Sequence, residues 1–526
     1  MSQNKISLLD CTLRDGGYIN DWNFGETAIK DITKKVVLAG IDAVEVGFIR
    51  PENYDKNRSV YSSTEDIKNV IGKKDSGTLY VAMLDMSSPV PMDKIYPRDA
   101  DGVDVLRVIF KKDKIEEGLN CCKQVQEKGY QVFVQPVGTD LYSDEEFIAM
   151  IHKFNAINPD ALYIVDSFGV IKLKHFLRLV YLADNNLDDG ISLGYHSHNN
   201  LQQAFGNAQA LVELSLKRDI IIDACVFGMG RGAGNLNIEL FAEYLNENYG
   251  ADYRIEPMLS IADLYLNGIY KNHFWGYSLP FYLSASNGCH PNYAIYLEKK
   301  GTLTAKSFNE ILRLIPEDKK AVYSKDYAEE IYQEYQKNYV NDTDTLNYLE
   351  NQFAGRKLLI LAPGCSLLTH ASEIHEFIEK YSPIIISLSY YDEEFGSDFV
   401  FCTNERRYNK LVVRDDVRTI ISSNIRENLF DSLIVNYTSC VCDKISIAEN
   451  SGIMLFNLLS AIGIKEVFVA GMDGYSRADN FFTEKLIISY SNEELAERNV
   501  LISNELRLLS RHMRIEFLTP TLYQYR

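Results

Sequence analysis

Through the first half of the chain, short apolar runs alternate with longer amphipathic stretches. Ile6 to Leu9, Ala43 to Phe48, Leu79 to Leu84, Val103 to Phe110, Gln131 to Val137, Ala161 to Val165, Ile191 to His198 and Ile220 to Phe227 read as strands, each followed by a segment with helical spacing. The first such segment, Gly25 to Ala39, carries Ile29, Ile32, Val36 and Ala39 on one face, and Gly40 closes it. Eight strand–helix units in alternation predict a closed parallel barrel rather than an open sheet, because chain order needs no reversal.

Beyond residue 250 the pattern changes. Tyr270 to Tyr296 is dense in aromatics, with His273-Phe274-Trp275-Gly276-Tyr277, Tyr282 and His290-Pro291-Asn292-Tyr293, and reads as a helical extension over the barrel mouth. Thr304 to Phe353 mixes acidic, tyrosine and apolar residues in helical patterns, as a connector or an oligomer surface would. Strands resume near Gly355, at Lys357 to Leu361, Ile384 to Leu388, Phe399 to Cys402 and Glu466 to Ala470, which predicts an open Rossmann-like α/β domain. Its turns at Ala362 to Leu367 and Gly471 to Tyr475 read either as backbone N–H cradles for a phosphate or as ordinary strand-to-helix turns. The expected organisation is a barrel over 1–250, a helical extension and connector over 251–350 and the Rossmann-like domain over 351–526.

Composition narrows the classes. A chain of 526 residues needs two or more cores, and 46% apolar with 24% charged residues reads as soluble and globular. A net charge of −19 argues against nucleic acid and anionic membrane surfaces as partners. Met1 to Asp10 shows no basic region followed by an apolar core, and no apolar run approaches the ~20 residues of a spanning helix. Nine scattered cysteines without metal or disulfide spacing point to a reducing cytoplasm.

Candidate chemistry gathers at strand ends. Asp10-Cys11-Thr12-Leu13-Arg14-Asp15-Gly16-Gly17-Tyr18 puts a cation, a carboxylate and a flexible turn at one point. In Gly194-Tyr195-His196-Ser197-His198-Asn199-Asn200 the two histidines, two apart on a strand, share a face. With Asp15 they make a set suited to a divalent metal that keeps positions open for substrate. Taken singly, Asp15 reads as a turn residue and the histidines as structural; their shared place at the C-terminal ends of barrel strands favours chemistry. Alternation sends Glu45 inward, with Arg107 and the Asp166-Ser167 pair similarly placed; internal ion pairs or turn caps account for these as well as substrate contact does. The eighth strand runs into Gly228-Met229-Gly230-Arg231-Gly232-Ala233-Gly234-Asn235, whose alternate glycines let backbone approach a ligand.

Asp-x-Thr-x-Arg-Asp-Gly at 10–16 with His-x-His-Asn at 196–199 resembles the metal-dependent aldolase and Claisen-condensing superfamily built on a TIM barrel, which includes 4-hydroxy-2-oxovalerate aldolase, hydroxymethylglutaryl-CoA lyase and isopropylmalate synthase. The resemblance implies Mg²⁺ or Mn²⁺ on Asp15, His196 and His198, with Asn235 as a further ligand or beside the metal. It implies Arg14 at the enolate of a 2-oxo acid, with Glu45 and Ser167 nearby and Tyr277 or His290 reaching substrate. The implied reaction is a class II aldolase that cleaves or forms a 4-hydroxy-2-oxo acid through a pyruvate enolate, acting on a small 2-oxo acid and an aldehyde. Those aldolases place a histidine shortly after Arg-Asp-Gly. Here Gly17-Tyr18-Ile19 follows, so Tyr18 orients a water, His290 substitutes, or the barrel has changed its reaction. The Arg-Asp-Gly-Glu-Gln of the Claisen synthases is not matched either, and Cys225 lies too early to take the role of the lyases' loop cysteine.

Other readings stay open beside it: an acyl-CoA condensing or lyase barrel, a lapsed barrel serving as scaffold, or a nucleotide-sugar transferase carried by the C-terminal domain. Ser451 to Asp473 is similar to a segment of bacterial sialyltransferases and hydroxymethylpterin diphosphokinase-like domains. Ala362 to Leu367 falls where those carry Gly-x-Gly-Pro-Ser-Leu, with Ala362 and Cys365 departing. If both domains act, the product is a 2-keto-3-deoxy sugar acid destined for surface polysaccharide. A homo-oligomer is expected.

Overall fold

The computed structural model describes residues 4–75, 77–476 and 491–524; Met1 to Gln3 of the stretch read for a leader lie outside the described residues. By its contacts the chain divides into two units, Met1–Ala294 with Glu317–Val322, and Ile295–Pro316 with Tyr323–Arg526.

In the first unit, strands β1 (Ile6–Asp10), β2 (Ala43–Ile49), β4 (Leu79–Asp85), β5 (Val105–Phe110), β6 (Gln131–Pro136), β7 (Ala161–Asp166), β8 (Ser192–Ser197) and β9 (Ile220–Ala224) pair in parallel around a ring that closes between β1 and β2 and between β1 and β9. The two-residue strand β3 (Val60–Tyr61) pairs with the end of β2. This is the expected (β/α)₈ barrel. Strand alternation divides its residues into two layers. Leu8, Val44, Val46, Leu106 and Ile222 pack outward in one cluster with the helices, while Leu9, Ala43, Val81, Val105, Phe133 and Tyr163 make a separate cluster of strand residues in the barrel interior. Burying each large side chain contributes roughly 1.5–3 kcal/mol, and a charged residue at an inward position must find its partner there.

One unit departs from the expected alternation. After β4 the chain forms only the short 3₁₀ turn Met92–Lys94 before β5. Pro89, Pro91 and Pro97 punctuate this stretch, and each removes a backbone donor and disfavours helix at the residue before it. Past β9, helix Ile238–Tyr249 and the segments Ile255–Ile261, Asn267–Asn272 and Leu279–Ser286 remain with the barrel unit.

The second unit holds a fully parallel seven-stranded sheet, β10 (Leu358–Leu361), β11 (Ile384–Leu388), β12 (Phe399–Cys402), β13 (Arg418–Ser422), β14 (Leu433–Val435), β15 (Glu466–Ala470) and β16 (Arg514–Phe517), in the order β14-β13-β12-β11-β10-β15-β16. The order reverses between β10 and β15, as in a doubly wound fold. β13, β14 and β16 add to the four strands expected from sequence; they are short, and β13 and β16 each open on an exposed arginine. Helix Ser451–Ala461 is apolar nearly all round and buries Ile453, Met454, Leu455, Phe456, Leu458 and Leu459. At the switch point the N–H of Ser366 donates to Asp473 Oδ2 at 2.9 Å, and that of Gly364 donates to Gly471 O at 2.9 Å. Donors that could have cradled a phosphate thus tie two turns together, which favours the ordinary-turn reading.

Candidate metal centre and active site

The turn after β1 is stapled to the end of β9. Cys11 N–H donates to Ala224 O at 2.9 Å, Val226 N–H to Thr12 Oγ1 at 2.8 Å, and Thr12 Oγ1 to Asp10 Oδ1 at 2.6 Å. Asp15 N–H then donates back to Cys11 O at 2.8 Å, which tightens the chain so that Arg14 and Asp15 both stay buried. Trp22 Nε1 donates to Arg14 O at 2.7 Å, and a Cβ on Gly17 would meet its ring at 2.0 Å. Gly17 therefore makes room for the indole that holds Arg14 in place.

The structure brings together residues nearly 200 positions apart. His196 Nε2 lies 3.9 Å from Asp15 Oδ1, and His198 Nε2 lies 3.8 Å from Asp15 Oδ2. Ligand atoms of the three residues fall within 4.8 Å of one another. Those separations are too long for hydrogen bonds and leave room for a cation between the three groups. Asn235 Nδ2 donates to Asp15 Oδ2 at 2.7 Å and to Met229 O at 3.1 Å, while among the described residues Asn235 Oδ1 and His198 Nδ1 are buried without a partner. A Cβ on Gly230 would come within 2.3 Å of Asn235 Nδ2, so this position on the loop must stay bare. A carboxylate and two imidazoles, with the Asn235 amide beside them, fit Mg²⁺, Mn²⁺ or a similar divalent ion.

Electrostatics keep this set ready to ligate. Burial pushes the Asp15 carboxyl up, but the Arg14 guanidinium, with His198 and His196, outweighs it and holds it well below the usual carboxylate range. Burial pulls His198 down to about 3 against the attraction of Asp15, leaving a neutral ring with a lone pair to offer. A second cluster, Cys11, His196 and Asp223, also has metal-ligating atoms. It is closed off, because the Asp223 side chain is fully buried and Oδ2 is held by Arg107 and by His196.

Behind the site runs a chain of alternating charges. Arg14 pairs with Asp15 through Nη1 and donates from Nε to Glu45 Oε2 at 2.8 Å; Arg107 Nη1 donates to the same oxygen at 2.9 Å, and Arg107 Nη2 pairs with Asp223. Asp223 meets His196 Nδ1 at 3.0 Å, and the ring closes on Asp15. Glu45, expected inward, is there, with its contacts spent on orienting two arginines. Asp223 was not anticipated; its signal is one acid in the otherwise apolar Ile220-Ile221-Ile222-Asp223-Ala224.

The remaining candidates divide. Tyr18 sits edge-on to Trp22 and Phe48 at 4.8 and 6.2 Å, with the Arg231 guanidinium 5.5 Å from its ring centre. His290 packs edge-on to Phe168 at 5.6 Å and accepts from Asn292 N–H through Nδ1 at 3.1 Å. Burial, then the charge of Arg231 and the neighbouring His198 and Lys111, pull His290 down to about 3. Ser167 Oγ accepts from Gly138 N–H at 2.9 Å and so braces a neighbouring loop. Tyr277 is 56% exposed, and among the described residues it touches none of the set.

The model of the HMGL-like family matches residues 109–264. The 4-hydroxy-2-oxovalerate aldolase of Carboxydothermus hydrogenoformans is 25% identical over 269 residues, covering 49% of this chain and 76% of that protein. The oxaloacetate decarboxylase of Mycobacterium tuberculosis is 24% identical over 237 residues, 44% of this chain and 67% of its own length. Among solved structures, the HMG-CoA lyase of Brucella melitensis is similar with a TM-score of 0.42 and 14% identity, covering 51% of this chain and 99% of that one.

Proposed function

We propose that the HMGL-like barrel is a divalent-metal-dependent carbon–carbon lyase, a class II aldolase that cleaves or forms a 4-hydroxy-2-oxo acid through a pyruvate enolate. The observation that carries this reading is the convergence of both histidine Nε2 atoms on the two oxygens of Asp15 beside a locked Arg14. Asp15, His196 and His198 would hold the ion, with Asn235 alongside. Bound there, Mg²⁺ or Mn²⁺ supplies Lewis-acid polarisation of the 2-oxo group and charge stabilisation for the enolate.

The chain's own groups do the rest. Arg14 is fixed through Nε and Nη1, so Nη2 is presented to a substrate oxygen without reorganisation. The Asn292 N–H on His290 Nδ1 puts the ring proton on Nε2, as a donor toward the C4 oxygen. Tyr18, where the aldolases carry a histidine, orients the water that takes the C4 hydroxyl proton, a step worth ~10²–10⁴ in rate.

Names among the relatives support an aldolase before a decarboxylase, since the aldolase name recurs. No helix of the described residues is long and apolar enough to cross a membrane; the nine scattered cysteines suit a reducing cytoplasm. We take the acceptor to be a sugar aldehyde, and the product a keto-deoxy sugar acid for surface polysaccharide, on the sequence likeness of Ser451 to Asp473 to sialyltransferases. A homo-oligomer is part of the same reading. Incubating the protein with pyruvate, Mn²⁺ and a panel of sugar aldehydes should yield a new 2-oxo acid that is lost with chelator; no product with any aldehyde would overturn it.

A further inference from the structure

One charged side chain at the barrel mouth is left without work by that chemistry. Arg231 stands between Gly230 and Gly232 in the loop after β9, half-buried, its guanidinium over the Tyr18 ring at 5.5 Å. The other arginines around the site have acids: Arg14 has Asp15 and Glu45, Arg107 has Glu45 and Asp223, and Arg50 approaches Asp85 at 4.0 Å. Among the described residues no carboxylate lies within ion-pair distance of Arg231. Its charge instead bears on His198 and His290.

The loop holds this cation in a fixed place. Asn200 Oδ1 accepts from Ala233 N–H at 2.8 Å, Asn199 N–H donates to Gly234 O at 2.8 Å, and Gly276 N–H donates to Gly232 O at 3.2 Å. Around it, the backbone N–H groups of Gly230, Arg231 and Gly232 make no hydrogen bond among the described residues. The unpaired guanidinium has backbone donors left open in the same loop, and its planar fork matches carboxylate or phosphate oxygens. In a protein of net charge −19, a local positive field of this kind is what lets a negatively charged substrate approach.

We propose that Arg231 receives an anionic group, carboxylate or phosphate, carried by the aldehyde acceptor, so that the second substrate of the barrel is a negatively charged aldehyde. This rests on the aldolase reading of the same barrel. Arg14 and the metal ligands account for the 2-oxo acid, and Arg231, over the Tyr18 ring at 5.5 Å, accounts for the tail of its partner.

The test compares matched aldehydes with the metal-loaded full chain: succinic semialdehyde against butyraldehyde for the carboxylate arm, glyceraldehyde 3-phosphate against glyceraldehyde for the phosphate arm. Wild type should favour a charged member in kcat/KM, the arm that responds identifying the anion. Arg231→Gln should cut that preference about ten- to hundredfold, through aldehyde KM, with Arg231→Lys between. Calorimetric titration of the same aldehydes reads the preference without turnover, so it decides the role of Arg231 even if wild type forms no pyruvate enolate, which would sink the aldolase reading separately. An unchanged charged-to-neutral ratio in the variant, or a rise in pyruvate KM instead of aldehyde KM, would overturn the proposal.

Discussion

Asp223 Oδ2 lies 3.0 Å from His196 Nδ1, across neighbouring strands β9 and β8. That contact fixes the ring so that Nε2, and not Nδ1, faces Asp15.

Asp223→Asn keeps the shape and removes the charge. Mn²⁺ affinity, measured by titration with electron paramagnetic resonance, should fall about 10- to 100-fold. Affinity equal to wild type would mean that His196 does not ligate.

Arg107 is fully buried between Glu45 and Asp223. Arg107→Met would leave two carboxylates facing each other in the barrel core, so chemical denaturation should show the barrel destabilised by about 3–5 kcal/mol. A loss below about 1 kcal/mol would show that water reaches these groups.

Asp166 accepts from Val170 and Ile171 N–H at 2.9 and 3.0 Å. Burial, then the charge of Asp140, push its carboxyl from 3.8 up to about 7. Between those values the folded state keeps a proton that the unfolded chain has released. The group therefore favours the native state at low pH, and this contribution is lost as pH rises from about 4 through about 7. Asp166→Asn, which cannot ionise, should gain stability relative to wild type across that window in urea titrations at pH 5 and 8. A constant difference at the two pH values would contradict the raised pKa.

Much of this was legible in the chain. The eight barrel strands and the grouping of Asp15 with His196 and His198 follow from period-two patterning and from the rule that barrel chemistry sits at strand C-termini. The missing helix after β4 was not read because apolar residues there keep a loose spacing while three prolines forbid the turn. Asp223 and Arg231 were passed over because a lone acid in an apolar strand and a lone cation among glycines carry no spacing signal; only the closed ring gives them partners or leaves them without. Tyr277 shows the reverse, an aromatic in a suggestive sequence that stands in solvent. In the second unit three of seven strands went unread, all of them short and two opening on an exposed arginine.

The most direct measurement of the central claim is exchange of pyruvate methyl protons with deuterated solvent, followed by NMR, for wild type and Asp15→Ala with and without Mn²⁺. Enolate formation at the Asp15, His196 and His198 centre predicts exchange that needs both the ion and Asp15, whatever the aldehyde. No exchange with any divalent ion, or exchange that survives loss of Asp15, would contradict it.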